Sequence, residues 1–286
     1  MAEKIIITSD STTDLSPELL ERYGVQLMRL GVSLNDKDFT DGVDITPEMI
    51  YENYRTNKTL PKTAAPNLEE CDAFFRKYVD QGYSVVHFTI SSEMSSTYQN
   101  SVIAAQDFEN VHVVDSRNLS TGGGLLVIRA AELAREGKLS SAEIAQHCRE
   151  LAPYVDASFV IDSLEFLYKG GRCSAVAMLG ANLMNFKPCI VVKGGKMGVG
   201  KKYRGKFESV LLKYIEDRVG DASDIVRDHI FITHAGCDQP VVDACVEKLK
   251  SLAQFQEVHV TRAGCTVSSH CGRNTLGVLF IRTHEI

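Results

Sequence analysis

The sequence predicts an α/β protein of two domains: an N-terminal parallel-sheet α/β/α domain and a C-terminal α/β domain with a mixed or antiparallel sheet. Three observations lead there. In the first half short β-rich runs alternate with helical patterns, and strand, helix, strand repetition is the mark of a parallel sheet with crossover helices. The strands of that half are unbroken apolar runs, as suits a sheet covered on both faces. At 286 residues the chain exceeds the roughly 100 to 200 residues of one ordinary domain, and its pattern changes near residue 160. The expected domains are therefore 1–160 and 161–286, with a margin of about ten residues at the division.

In chain order, 5–8 reads as a strand and 18–23 as a helix, 85–90 as a strand and 97–108 as a helix, 111–115 as a strand and 123–135 as a helix. A further helix over 141–151 leads through Pro153 to a strand over 157–161, and 168–172 reads as a Gly/Lys/Arg-rich loop. Beyond it 175–185 is helical, 189–200 forms two short strands around Gly194-Gly195, and 207–219 is helical. Strands are expected at 230–233, 258–261 and 278–281. A helix near Asp238 and Pro240 sets Val241, Ala244, Cys245, Leu249 and Leu252 on one stripe at helical spacing.

Composition narrows the function. Hydrophobic residues make up 44% and charged residues 24%, so the chain can bury a core and is not disordered. Lys plus Arg number 31 against 37 Asp plus Glu, a net charge of −6, and no global positive field draws a nucleic acid. No stretch reaches about 18 uninterrupted apolar residues, so a soluble, cytoplasmic protein with no stable membrane insertion is expected. The eight cysteines hold no CxxC pair and read as small buried hydrophobes in a reducing compartment.

Hydroxyl residues gather at the predicted strand ends: residues 8–14 after the first strand, 91–97 after the second, and 115–124 after the third. In an open parallel sheet ligands sit beyond the carboxyl ends of the strands, so these loops line one rim suited to a polar ligand group. Taken singly, each Ser, Thr or Asp there is also a helix cap. A Ser nucleophile needs a base and an orienting acid; His270 stands in Ser268-Ser269-His270-Cys271-Gly272, but no GxSxG elbow or SxxK pair occurs, so no catalytic residue is assigned.

Two nucleotide motifs fail. Residues 195–202 approach the P-loop pattern, but Lys202 stands where a Ser or Thr should meet magnesium. Gly122-Gly123-Gly124 does not extend to GxGxxG, so no cofactor is implied. The close pairs His234 with Cys237 and His270 with Cys271 lack zinc-site spacing, and no metal is assigned. The turn Lys169-Gly170-Gly171-Arg172 lets a guanidinium fork approach an anion.

The motifs Thr8-Ser9-Asp10-Ser11-Thr12-Thr13-Asp14-Leu15, Lys62-Thr63-Ala64-Ala65-Pro66, Ser91-Ser92-Glu93-Met94-Ser95-Ser96-Thr97-Tyr98-Gln99, Val114-Asp115-Ser116, Leu167-Tyr168-Lys169-Gly170-Gly171-Arg172, Lys187-Pro188, His270-Cys271-Gly272 and Thr275-Leu276-Gly277 follow one another in an order that resembles the DegV family. The resemblance spans nearly the whole chain. It implies a long-chain fatty acid, C14 to C18 such as palmitate, buried between the two domains, with its carboxylate on Thr63 and Ser95 and with Arg172 and His270 completing the polar network. It further implies a carrier that presents the acid to a separate fatty acid kinase. The family's Pro-Gly is Arg273-Asn274 here, and its Thr-Ser-Gln-Pro is Thr63-Ala64-Ala65-Pro66. The tunnel wall is expected from the apolar residues 175–186 and the facing sheet. A Ser95/His270 acyl hydrolase or transferase and a stand-alone lipid sensor are the alternative readings.

Overall fold

The computed structural model describes residues 3–173 and 186–286. Its first sheet holds β1 (Ile5–Asp10), β2 (Gln26–Met28), β6 (Ser84–Thr89) and β7 (Val111–Asp115) in the order β2-β1-β6-β7. All neighbours in it are parallel. A three-stranded antiparallel sheet lies beside it, with β3 (Gly31–Leu34) between β4 (Lys37–Thr40) and β5 (Lys62–Ala64). The second large sheet runs β10 (Lys196–Tyr203), β9 (Lys187–Lys193), β8 (Val155–Ile161), β13 (Thr275–Arg282), β11 (Ile225–Ala235), β12 (Glu257–Arg262). Its neighbours are antiparallel except the parallel pair β11 and β12, so it is mixed.

The two-unit α/β fold expected from the sequence is the fold observed, with three differences in detail. β8, which the expected division cuts at residue 160, belongs entirely to the second sheet, because its registers run to β9 and β13. Residues 168–170 are not loop but the end of a short helix, Glu165–Gly170, capped by Gly171. His270 sits in the helix Cys265–Cys271, a segment for which the sequence predicts no element. The expected tunnel wall over residues 175–185 lies outside the described residues; Phe186 at its end is 36% exposed.

The helix Thr121–Glu136 joins the layers. Leu125, Leu126, Val127 and Ile128 are all at most 2% exposed, so consecutive residues on every side of this helix are buried. The first half of this helix is apolar on every side and must be covered all round, and the helix packs against β1 and β6 of the first sheet and against β8, β11 and β13 of the second. The hairpin β9–β10 makes a second bridge. Gly194 and Gly195 take φ of 58° and 84°, the left-handed pair a two-residue hairpin turn needs. At that turn the Ser91 hydroxyl donates to the Gly195 carbonyl at 2.7 Å and Arg117 donates to the Gly194 carbonyl at 2.7 Å. The near-P-loop residues are therefore strand and turn. Among the described residues no helix is long and apolar enough to cross a membrane, and all eight cysteines are buried.

Candidate functional site

A cavity of about 190 Å³ opens between the first sheet's carboxyl rim, β5, and the second sheet. Thr63, Ser95, Arg172 and His270, widely separated in sequence, all line it. Each arrives by a different local device. Thr63 is the middle residue of β5, held in register opposite Val32. Ser95 precedes the helix Thr97–Ala105 and accepts from the Thr97 backbone N–H at 3.2 Å while its hydroxyl lies 2.8 Å from Thr97 Oγ1. Ser95 thus forms a local hydroxyl turn just before the helix, whose own N-cap, Ser96, makes no side-chain cap hydrogen bond. Arg172 is exposed at the mouth and donates to the Gly170 carbonyl at 2.8 Å.

His270 governs Thr63. Its Nε2 lies 2.9 Å from Thr63 Oγ1, whereas its Nδ1 is buried without a hydrogen-bond partner. Burial, helped by the Arg172 charge, pushes the His270 imidazole down to about 4, so at neutral pH the ring is neutral with one N–H. An orphaned buried N–H costs more than an orphaned lone pair, which assigns the proton to Nε2. Nε2–H then donates to Thr63 Oγ1, and the Thr63 hydroxyl proton is released toward the cavity. Gly170 makes the approach possible: a Cβ there would stand 2.5 Å from Nδ1.

The same geometry bears on acyl hydrolysis. The hydroxyl bonded to His270 belongs to Thr63, and the one at Ser95 is bonded to Thr97. No Ser95 to His270 hydrogen bond occurs, and no carboxylate holds His270 Nδ1 in the manner of a triad.

Much of the rest of the lining is apolar, among it Leu30, Ile90, Met94, Leu119, Phe159 and Leu279. Ser120, which falls in the expected polar rim over 115–124, also faces it, as do Thr233, His234, Ala263 and Thr266, none of which the sequence places at this ligand. They lie on strands and helix ends that read as ordinary core, and only the packing of the two sheets makes them a wall.

The helix that carries His270 is anchored from the other domain. Asp41, 2% exposed, accepts from the Cys265 N–H at 2.9 Å, the Thr266 N–H at 3.3 Å, the Thr266 hydroxyl at 2.6 Å and the Ser11 hydroxyl at 3.0 Å. Asp14 accepts from the Gly264 N–H at 2.7 Å and the Ser120 hydroxyl at 2.5 Å. Two carboxyl groups of the first domain thus cap the first turn of helix Cys265–Cys271. Burial pushes the Asp14 carboxyl up to about 8, and Asp10 beside it up to about 6. The ordinary value is 3.8, so between about pH 4 and 8 the folded chain holds a proton at Asp14 that the unfolded chain has released. Stability then falls as pH rises through that window and levels off above it. Asp14→Asn, which imitates the protonated group, flattens this slope in urea unfolding measured from pH 4 to pH 8; an unchanged slope excludes Asp14 as its source.

Asn274 adopts φ of 58°, the left-handed conformation that Asn tolerates better than most residues. Arg273 donates to the Gly236 carbonyl at 3.1 Å and lies 3.3 Å from Asp238.

Known proteins carry the same architecture. A DegV domain-containing protein of Caldanaerobacter subterraneus is 31% identical over 281 residues, covering 97% of this chain and 99% of the relative. A solved structure from Thermus thermophilus, described as fatty acid binding of a DegV family protein, superposes with a TM-score of 0.88 at 28% identity, over 98% of this chain and 99% of that one. A stearic acid-binding protein from Eubacterium ventriosum superposes with a TM-score of 0.82 at 27% identity, over 98% of each chain. The family profile described as "Uncharacterised protein, DegV family" matches residues 4–283, which takes in both sheets, the helix between them and every residue of the cavity described above. With the sequence motifs, the fold and the near full-length match all in agreement, the chain belongs to the DegV family.

Proposed function

We propose that this chain binds one long-chain fatty acid in the cavity between its domains, with the carboxylate on Thr63 and Ser95 and the acyl chain along the apolar walls. The observation that carries the reading is the make-up of the cavity: the Thr63 hydroxyl paired with a neutral His270 imidazole, together with the Ser95 hydroxyl and the Arg172 guanidinium, in a lining that otherwise combines aliphatic and aromatic side chains with a few further polar groups such as Ser120, Thr233 and Thr266. The fatty acid binding described for the Thermus and Eubacterium relatives supports it. Burying about fourteen methylenes at roughly 0.8 kcal/mol each gives a gross gain on the order of 11 kcal/mol before the entropy of ordering is subtracted. The tail sets affinity, and the hydroxyls set orientation. In the full reading the chain is a cytoplasmic carrier with no chemistry of its own, and it presents the carboxylate at the mouth, beside exposed Arg172, to a separate kinase that forms an acyl phosphate.

The test is direct. Protein purified from bacteria releases close to one C14 to C18 acid per chain on denaturing extraction, and delipidated protein gains melting temperature on readdition of that acid. An extract without lipid, together with no thermal shift, sinks the proposal. Thr63→Val and Ser95→Ala each lower fatty-acid affinity by about 1.5 to 3 kcal/mol at most, since each removes one hydrogen bond to a charged group. His270→Ala has a smaller effect on affinity, because it acts through Thr63. All three depress kinase-coupled acyl phosphate formation more than binding, since the carboxylate loses its pose for attack. Wild-type behaviour of all three in both assays places the carboxylate elsewhere.

A further inference from the structure

On the far edge of the second sheet, away from the cavity, His229, Glu257 and His259 bring one ligand atom each within 4.8 Å of one another. Register explains the meeting. His229 of β11 stands directly opposite Glu257 of β12 in the parallel pair, and His259 follows Glu257 by two residues on the same face. We propose that these three side chains form a binding site for a divalent transition-metal ion of the zinc class, a function separate from the fatty-acid cavity.

Four features of the cluster support it. His229 Nδ1 and His259 Nε2 lie 3.0 Å apart, close to the separation of about 3 to 3.4 Å that two nitrogens have when each is about 2.0 to 2.1 Å from one zinc ion. The other nitrogen of His229, Nε2, lies 3.1 Å from Glu132 Oε1 on the helix Thr121–Glu136. That carboxylate accepts the Nε2–H and so leaves the Nδ1 lone pair facing His259, the carboxylate to histidine pairing that orients metal ligands. The rings are fixed as well as aimed: His259 stacks on Phe231 at 4.6 Å between centroids and on His229 at 5.2 Å. The two histidine side chains are only 13% and 9% exposed, so their polar atoms sit in a built pocket rather than on open surface. Two imidazoles and one carboxylate select zinc-class ions over calcium or magnesium, which want oxygen donors, and leave coordination positions for water.

A competitor is present in the same place. Arg22, on the helix Pro17–Tyr23, donates to both carboxylate oxygens of Glu257 at 2.6 Å, and its side chain is 51% exposed. Metal binding must detach this guanidinium from Glu257, and the exposed arginine can swing into solvent. Arg22 therefore holds the carboxylate in place in the metal-free chain and weakens the site.

The experiment is calorimetric titration of the chelator-stripped full chain with zinc chloride, with metal content measured after gel filtration. One ion per chain is expected. His229→Ala and His259→Ala each weaken binding by at least about 100-fold, and Glu132→Gln by about 10-fold, the range seen for groups that orient a ligand. Arg22→Gln strengthens binding severalfold, an outcome that nonspecific binding to surface histidines does not give. His284→Ala, which alters an exposed histidine near the C-terminus, leaves binding unchanged. Melting curves in excess chelator check that each variant folds, and His229→Asn and His259→Gln replace any that does not. Absence of one-to-one binding, loss of binding in His284→Ala with retention in the His229 and His259 variants, or an unchanged affinity in Arg22→Gln overturns the proposal.

Discussion

Ala263→Phe lowers fatty-acid affinity by more than about 100-fold while leaving the chain folded. Ala263 is 3% exposed, lies between β12 and the helix Cys265–Cys271, and lines the cavity. A phenyl ring there occupies space the acyl chain needs. Displacing only four methylenes forfeits roughly 3 kcal/mol, which is a little over a hundredfold in affinity. Overpacking costs about 1 to 3 kcal/mol of stability in its own right, so circular dichroism and the melting temperature of the lipid-free protein are measured beside the binding isotherm. A folded Ala263→Phe variant that still releases one fatty acid per chain on extraction rules out this cavity as the acyl site.

Asp41→Ala is expected to be the most damaging single truncation outside the apolar core. It removes the acceptor for Cys265 N–H, Thr266 N–H, Thr266 Oγ1 and Ser11 Oγ together. Each buried donor left unpaired costs about 1 to 3 kcal/mol, and water entering the gap restores part of it, so a loss of about 3 kcal/mol is expected. The melting temperature then falls by roughly 6 to 12 °C. Because the anchored helix carries His270, the variant also loosens the His270 to Thr63 hydrogen bond and lowers fatty-acid affinity, most visibly for short chains whose binding relies more on the head group. Asp41→Asn keeps one acceptor oxygen and recovers about half of the stability. A melting temperature within about 2 °C of wild type for Asp41→Ala, under 1 kcal/mol on the same scale, removes the cap from the account of how the two domains are joined.

Much of the fold is legible in the chain. The helix Ser141–Leu151 is read to the residue, and the strand Val111–Asp115 likewise, because apolar periodicity and clear flanking polar residues mark both. Other elements carry signals that the periodicity reading passes over. Thr46 and Pro47 open the helix Pro47–Asn57 as a cap and first-turn proline, and Asn67 with Glu70 forms a capping box at the helix Leu68–Val79. Asn35 and Asp36, with φ of 52° and 59°, turn β3 into β4. These segments are short or polar on one side, so their caps and turns announce them better than their hydrophobicity does.

The sequence by itself determines the local features: which segments are strands and helices, where polar loops follow apolar strands, the failure of the nucleotide motifs, and the family motifs that mark Thr63, Ser95, Arg172 and His270. What only the tertiary structure decides is which of these distant groups meet. His270 and Thr63 stand 207 residues apart in sequence and 2.9 Å apart in space. Asp41 caps a helix more than 220 residues downstream. His229 and His259 close on one another through parallel strand register, with Glu132 arriving from a helix of the other layer. Local propensity is set by each residue's own backbone and side-chain preferences and can be read in sequence. Contacts at such separation exist only after two sheets have packed against the helix Thr121–Glu136, and that packing depends on the shapes of complete apolar faces rather than on any short pattern.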